Sequence, residues 1–101
     1  MWDESYKKSD MLINKDTYYM KHTYQAAIQA VKTSLIAVDS IAKKRYQYAF
    51  AVVRPPGHHS GFKSQPHGFS FFNNAAISAQ YAIESGVFKK VAIIDWDAHH
   101  G

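Results

Sequence analysis

The last seven residues of the chain, DWDAHHG, place two carboxylates and two imidazoles close together. In an extended segment alternate side chains share a face, so Asp95, Asp97 and His99 point to one side. Carboxylate oxygen and imidazole nitrogen suit zinc or another divalent first-row metal, and a catalytic zinc commonly has three protein ligands and one open position. The spacing predicts Asp97 and His99 as two metal ligands. The alternative, which spacing leaves open, is that the aspartates cap a strand end and the histidines lie on the surface.

A second histidine pair follows a stiff bend, in the sequence RPPGHHS at residues 54–60. Proline fixes its own backbone angle and Gly57 admits conformations closed to other residues, so the bend delivers His58 and His59 to a defined place. A histidine exchanges a proton near neutral pH, which a general acid or base beside a metal-bound water must do. Asp95 is available to fix the tautomer of one of them through Nδ1. Alone the pair is weak evidence, but together with the D-x-D-x-H motif it predicts a catalytic site.

The sequence HGFSFFNNAA lies between these two motifs. Gly68 permits close approach of a substrate to the backbone, and Phe69, which is nearest the polar loop, is a candidate wall of an apolar channel. Phe71 and Phe72 stand beside a helix start and are expected in the core. His67 is expected to be an ordinary loop residue.

Helical periodicity marks the first long element. Apolar residues recur at three-and-four spacing from Thr23 to about Lys44, which predicts a long amphipathic helix. These positions are Tyr24, Ile28, Val31, Leu35, Val38 and Ala42. The segment up to Thr17 has weak patterning and is expected to be loop or irregular structure, as is the stretch 60–65.

Two short apolar runs predict buried strands, YQYAFAVV at 46–53 and VAIID at 91–95. Asn73 or Asn74 can cap a helix between them, and Gly86 can end that helix in a left-handed conformation. Strand, helix, strand is a βαβ unit and predicts an α/β layered architecture. Because ligand sites in open parallel sheets form beyond the carboxyl ends of the strands, the two histidine motifs are expected at one edge of the sheet.

Composition limits the class of protein. The chain has 101 residues, 47% hydrophobic and 15% aromatic, so a buried core is expected, in one small domain or in a piece of a larger one. The net charge of +4 is scattered apart from Lys43, Lys44 and Arg45, which we assign to a helix end rather than to nucleic-acid binding. There is no cysteine, which excludes disulfides and thiolate metal sites. Without a signal-peptide pattern or a long apolar run, we expect a soluble intracellular protein with no membrane partner.

Three motifs carry a family resemblance. VVRPPGHHS, GFSFFNNAAISA and VAIIDWDAHHG, in this order and spacing, resemble the zinc-dependent histone deacetylases and the related acetylpolyamine amidohydrolases, and RPPGHH is closer to the class II branch. A weaker resemblance begins at about Asp16. It implies an α/β fragment of a three-layer arginase/deacetylase-like fold with a mainly parallel sheet. Residues 1–101 would be a partial catalytic domain, truncated on the C-terminal side, with 1–16 poorly defined.

The resemblance also implies the metal residues. Asp97 and His99 correspond to two of the three zinc ligands of the family. Asp95 corresponds to the carboxylate that orients the first histidine, and with Asp97 and His99 it corresponds to a structural potassium site. The implied reaction is attack of a zinc-polarised water on an acetamide carbonyl, which releases acetate and a free amine.

The catalytic and substrate residues follow in the same way. His58 and His59 correspond to the tandem catalytic histidines, the second as general base and acid and the first as its electrostatic partner. Gly68 and Phe69 correspond to the acetyl-lysine channel. Ser60 stands where the family often has alanine, and the serine after Phe69 stands where cysteine is common; both changes are expected to be tolerated.

Three parts of the family site are expected beyond Gly101: the third zinc ligand, the tyrosine that stabilises the oxyanion, and the polar partner of the second histidine. The chain alone is therefore expected to be an inactive N-terminal piece, poorly soluble because its truncated sheet exposes an apolar face. Two alternatives are a catalytically dead remnant or interaction module, and another metallohydrolase such as a phosphoesterase, against which RPPGHH and GFSFFNN argue.

The resemblance extends to partners and location. It implies an acetylated protein such as histone, or an acetylpolyamine, as substrate, and a corepressor complex as partner, with no direct nucleic-acid binding. Chromatin regulation in the nucleus, the cytoplasm or both is the expected setting. The residues do not choose between these substrates or compartments.

Overall fold

A computed structural model describes residues 11–61 and 65–101. Within these ranges the chain folds into an antiparallel strand pair and two helices. The elements are β1 (Met11–Asn14), β2 (Thr17–Tyr19), α1 (Thr23–Ala42) and α2 (Asn74–Glu84). The expectations for residues 1–10, and for 62–64 of the predicted loop, lie outside the described residues.

The strand pair β1–β2 differs from the irregular structure expected up to Thr17. The two strands are short and their register is interrupted between Leu12 and Asn14. Such strands show little of the regular apolar and polar alternation by which a strand is predicted from sequence. An isolated two-stranded hairpin is marginally stable at best, and this one depends on packing against the rest of the chain. Thr17 and Tyr19 are buried, and the Tyr19 ring meets the Phe71 ring edge-on with centroids 6.5 Å apart.

Helix α1 begins where it was expected and ends two residues earlier, at Ala42. Its most buried positions are Ala27 and Ala30, whereas Tyr24, on the predicted apolar face, is 42% exposed. The small alanine side chains allow close approach of the helix to its neighbours. Ala27 lies in the core with Tyr19 and Phe71, and Ile13 and Phe72 pack against this cluster. The core positions expected for the two phenylalanines are confirmed.

Helix α2 confirms both of its predicted end signals. The Asn73 side chain accepts a hydrogen bond from the Ala76 N–H at 3.0 Å, which caps the start of the helix. Gly86 follows the end of the helix with φ +74°, the left-handed conformation that glycine adopts freely. The two helices pack together, and the Tyr81 hydroxyl donates to Asp39 Oδ1 at 2.8 Å across their contact.

Residues 46–53 and 91–95 differ from the strands predicted for them. Among the described residues neither segment has strand pairing, and β1–β2 is the one sheet there. Most of their apolar side chains are exposed, with Phe50 at 91% and Ile94 at 81%. A strand needs a hydrogen-bonded neighbour, and periodicity reports only that a segment suits one. In the described part of the chain, no helix is both long and apolar enough to cross a membrane.

Candidate active site

The bend that carries the histidine pair is fastened to the start of α2. Gly57 is buried there, and a Cβ at this position would lie 2.6 Å from both the Phe72 carbonyl oxygen and the Asn74 nitrogen. The Asn74 side-chain amide donates to the Pro55 carbonyl at 3.3 Å. The Ser60 hydroxyl donates to a backbone carbonyl just before α2 at 3.0 Å. Only glycine allows this close packing, which fixes the backbone from which His58 and His59 extend.

His58 is oriented by Asp95. Its Nδ1 lies 2.8 Å from Asp95 Oδ2, and its Nε2 lies 3.9 Å from Asp97 Oδ2. The pKa of the Asp95 carboxyl is lowered, first by the hydrogen bond from the Asp97 backbone N–H and then by the contact with His58. An ionised carboxylate only accepts hydrogen bonds, so Nδ1 of His58 carries a proton and Nε2 faces Asp97.

The predicted metal pair, Asp97 and His99, is drawn together in a tight turn. Asp97 Oδ1 accepts the His99 backbone N–H at 2.8 Å and lies 3.0 Å from His99 Nδ1. The pKa of Asp97 is lowered, first by this backbone hydrogen bond and then by the His99 ring. One carboxylate oxygen and one imidazole nitrogen facing the same small space are donors that suit zinc. Among the described residues, however, no group of three His, Cys, Asp or Glu could hold a metal ion. The donor types fit two positions of a zinc site, and their number is one short.

His59 has three imidazoles near it and a glycine directly against it. Its ring centroid is 4.1 Å from that of His58, 5.9 Å from that of His67 and 6.1 Å from that of His99. A Cβ on Gly68 would lie 2.6 Å from Cγ of His59. The substrate role of Gly68 stays a prediction, and in the structure the position that a Cβ would take is filled by the His59 ring. The closeness of His67 to this ring was also not foreseen, since a lone loop histidine carries no spacing signal.

Gly68 and Phe69 form the centre of a tight turn. Backbone hydrogen bonds join His67 and Ser70 in both directions, at 3.1 and 2.8 Å. Gly68 and Phe69 have φ of +51° and +63°, which makes this a type I′ turn. The Phe69 backbone N–H donates to the Thr17 hydroxyl oxygen at 3.2 Å, a contact that sequence reasoning missed. The Phe69 side chain is 55% exposed, so it is free to form a wall as predicted.

Some of the predicted residues line two hollows, whereas His59 and Gly68 line neither of them. A cleft of ≈ 530 Å³ is lined by His58, Asp95, Asp97 and His99, and also by His100, for which no role was predicted. Phe69 lines a second hollow, of ≈ 560 Å³, on the side of the strand pair. The structure thus brings the metal pair and the oriented histidine together in one cleft, while Phe69 lines the other hollow.

Comparison with known proteins identifies the family of the chain. The profile of the family described as "Histone deacetylase domain" matches residues 1–101. This chain belongs to the histone deacetylase family. The deacetylase-family chain is 43% identical over 86 residues, 85% of its length, to polyamine deacetylase HDAC10 of Danio rerio. It is 41% identical over 85 residues, 84% of its length, to histone deacetylase 8 of Arabidopsis thaliana.

A solved structure extends the likeness to the fold of this deacetylase-family chain. The crystal structure of the HDA15 HD domain superposes with a TM-score of 0.76 at 33% identity, covering 83% of the chain. The α/β class and the family resemblance predicted from the sequence are thereby confirmed. The chain covers 24% of that structure, 13% of the Danio rerio protein and 22% of the Arabidopsis thaliana protein. It thus spans a small part of the relatives it matches.

Proposed function

We propose that this chain forms part of the active site of a zinc-dependent deacetylase that hydrolyses the amide of acetyl-lysine. The observation that carries the proposal is the 2.8 Å contact between His58 Nδ1 and Asp95, with Asp97 and His99 beside it. A histidine oriented by a carboxylate next to two metal-type donors is what metal-assisted amide hydrolysis requires.

Asp97 and His99 would hold the zinc, with a third ligand expected from outside the described residues. Bound zinc would polarise the amide carbonyl and lower the pKa of a water molecule. The lowered pKa values of Asp95 and Asp97 keep both carboxylates ionised at neutral pH, the form that binds cations. A structural potassium ion on Asp95, Asp97 and His99 belongs to the same proposal.

The proton transfers fall to the histidine pair. His59 accepts a proton from the attacking water and returns it to the departing lysine nitrogen, which leaves acetate and a free amine. His58, fixed by Asp95, presents its Nε2 edge towards Asp97 and tunes the charge around its neighbour. Phe69 offers an exposed ring beside which the aliphatic part of an acetyl-lysine side chain can lie.

Acetylated protein, histone included, is the substrate class we propose first. An acetylpolyamine is the second candidate, favoured by the 43% identity to a relative named as a polyamine deacetylase. A corepressor complex as partner, a part in chromatin regulation, and location in the nucleus, the cytoplasm or both remain part of the proposal. A dead remnant or interaction module is the competing function.

Zinc affinity and acetate release test the proposal. Both are measured on this chain and on the chain extended past Gly101 with the rest of a deacetylase domain, using an acetyl-lysine peptide and an acetylated polyamine. We expect turnover by the extended chain and none by the chain alone, because the described residues supply two zinc donors. Turnover by the short chain contradicts the expected inactivity, and zinc binding without turnover in the extended chain favours the interaction module.

The general base is tested in the extended chain. His59→Ala is expected to lower turnover by about 10²- to 10⁴-fold while zinc stays bound. Lys32→Ala, at an exposed position on α1 that lines neither hollow, is the control and should retain full turnover. Equal turnover in both variants would refute the role given to His59.

A further inference from the structure

The turn that packs against His59 needs outside support. Both of its central residues are left-handed, and only the first of them, Gly68, is a glycine. A residue with a Cβ is disfavoured in this conformation, and such strain persists where surrounding contacts over-determine it. Phe69 therefore requires a contact that holds its backbone in place.

The strand pair β1–β2 supplies that contact through Thr17. The residue is fully buried, at 0% exposure, although its side chain is polar. Its hydroxyl donates to Asp16 Oδ1 at 2.8 Å and accepts from the Phe69 backbone N–H at 3.2 Å. The donated bond turns the oxygen lone pairs towards Phe69, so the two contacts reinforce each other. The hydroxyl proton and an oxygen lone pair are thus both in use.

A second contact ties the strand pair to the same loop. The Asn14 side-chain amide donates to the Pro66 carbonyl at 2.8 Å, immediately before the turn. On the other side, Tyr19 packs edge-on against Phe71, immediately after the turn. The turn is thus held before, at and after its strained residue by three residues of one hairpin.

We propose that Thr17 is a positioning residue for His59. It fixes the backbone of Phe69, which fixes Gly68, and the open side of Gly68 is the surface against which the His59 ring rests. Two contacts connect the hairpin to the ring: the hydrogen bond from the Phe69 N–H to Thr17, and the close packing of Gly68 against His59. The inference rests on the proposed function, since the value of a fixed His59 ring is its use as general base.

Thr17→Val tests the proposal because it keeps the shape of the side chain and removes the hydroxyl. Thr17→Ser restores the hydroxyl, and Thr33→Val makes the same change on α1, away from the turn. The first readout is the hydrogen-exchange rate of the Phe69 backbone amide in the chain of 101 residues. We expect about tenfold faster exchange in Thr17→Val, and exchange close to that of the unsubstituted chain in the other two variants.

The second readout is the nuclear Overhauser effect between a Gly68 α-proton and the His59 ring proton on Cδ2. It should weaken in Thr17→Val and recover in Thr17→Ser. Unchanged exchange and an unchanged Overhauser effect in Thr17→Val overturn the proposal. If Thr17→Val does not fold, the unsubstituted chain decides: a Phe69 amide that exchanges as freely as an open loop amide overturns it, and a protected one supports it.

Kinetics of the extended chain separate this inference from the proposed function. Thr17→Val should lower kcat by about tenfold with KM little changed, because a displaced base costs rate rather than binding. Thr17→Ser should restore kcat. An extended chain with no turnover at all would refute the proposed function, while the two structural readouts would still decide whether Thr17 positions His59.

Discussion

Replacing Gly68 with alanine should displace the His59 ring, and the structure gives the size of the effect. Two costs combine at this position. An alanine at φ +51° is strained by about 1–2 kcal/mol because of its left-handed backbone. Its Cβ would also lie 2.6 Å from Cγ of His59, closer than side chains tolerate, and relieving such overpacking typically costs about 1–3 kcal/mol.

Gly86→Ala is a matched control for the first cost alone. Gly86 has φ +74°, and a Cβ there would meet no atom within 4 Å. Both variants should therefore be destabilised by backbone strain, and Gly68→Ala by about 1–3 kcal/mol more. The difference isolates the contact with His59.

Denaturant unfolding and acetate release by the extended chain measure the two consequences. Gly68→Ala should lower both the free energy of unfolding and turnover, whereas Gly86→Ala should lower stability alone. Equal losses of stability in the two variants would show that the His59 ring does not rest on Gly68. Full turnover in a folded Gly68→Ala protein would refute the link between this contact and catalysis.

Three further predictions concern the helices and the oriented histidine. Tyr81→Phe should lower the thermal midpoint most between about pH 4 and pH 10: the pKa of Asp39 is lowered by Lys43 and then by Tyr81, and that of Tyr81 is raised by Asp39. Ionised Asp39 stabilises the folded chain above its unfolded pKa of about 3.9, and this stabilisation is lost as pH falls through the lower folded pKa. Protonated Tyr81 stabilises it below its unfolded pKa of about 10, and this stabilisation is lost as pH rises through the higher folded pKa. A midpoint difference from the unsubstituted chain that is constant with pH would contradict this. Asn73→Ala should lower the free energy of unfolding by about 1 kcal/mol in a denaturant titration, and no loss would mean that the cap is unimportant. Asp95→Asn should lower acetate release by the extended chain about 10- to 100-fold, and unchanged release would refute the orienting role.

The fold was predictable where its signals are local. Asn73 and Gly86 mark the ends of α2 because a cap and a left-handed glycine act within a few residues. The hairpin was not predictable, since Thr17 is stabilised by a contact 52 residues along the chain. The apolar run at 91–95 has the composition of a strand, but pairing depends on a neighbour that composition does not specify.

The site, like the fold, was predictable from the sequence only in part. Alternation along the backbone put Asp95, Asp97 and His99 on one side, and the family resemblance suggested which of them meets the first histidine. The structure places that contact at 2.8 Å, although the catalytic and metal roles themselves stay predictions. The packing of Gly68 on His59 was not predictable, because it joins two loops through a close approach that no pattern of residue types encodes.

The contacts of the hairpin with the turn have a consequence for the order in which the site assembles. Thr17 can meet Phe69 as soon as residue 69 has left the ribosome, whereas His58 must wait for Asp95, which is made later. Closing a loop of 52 residues rather than 37 adds only a few tenths of a kcal/mol in chain entropy, by about (3/2)RT ln of the length ratio. During synthesis the surface on which the His59 ring rests should therefore form before the two proposed metal donors emerge, so that a metal ion would bind next to a His59 ring that already has its packing surface.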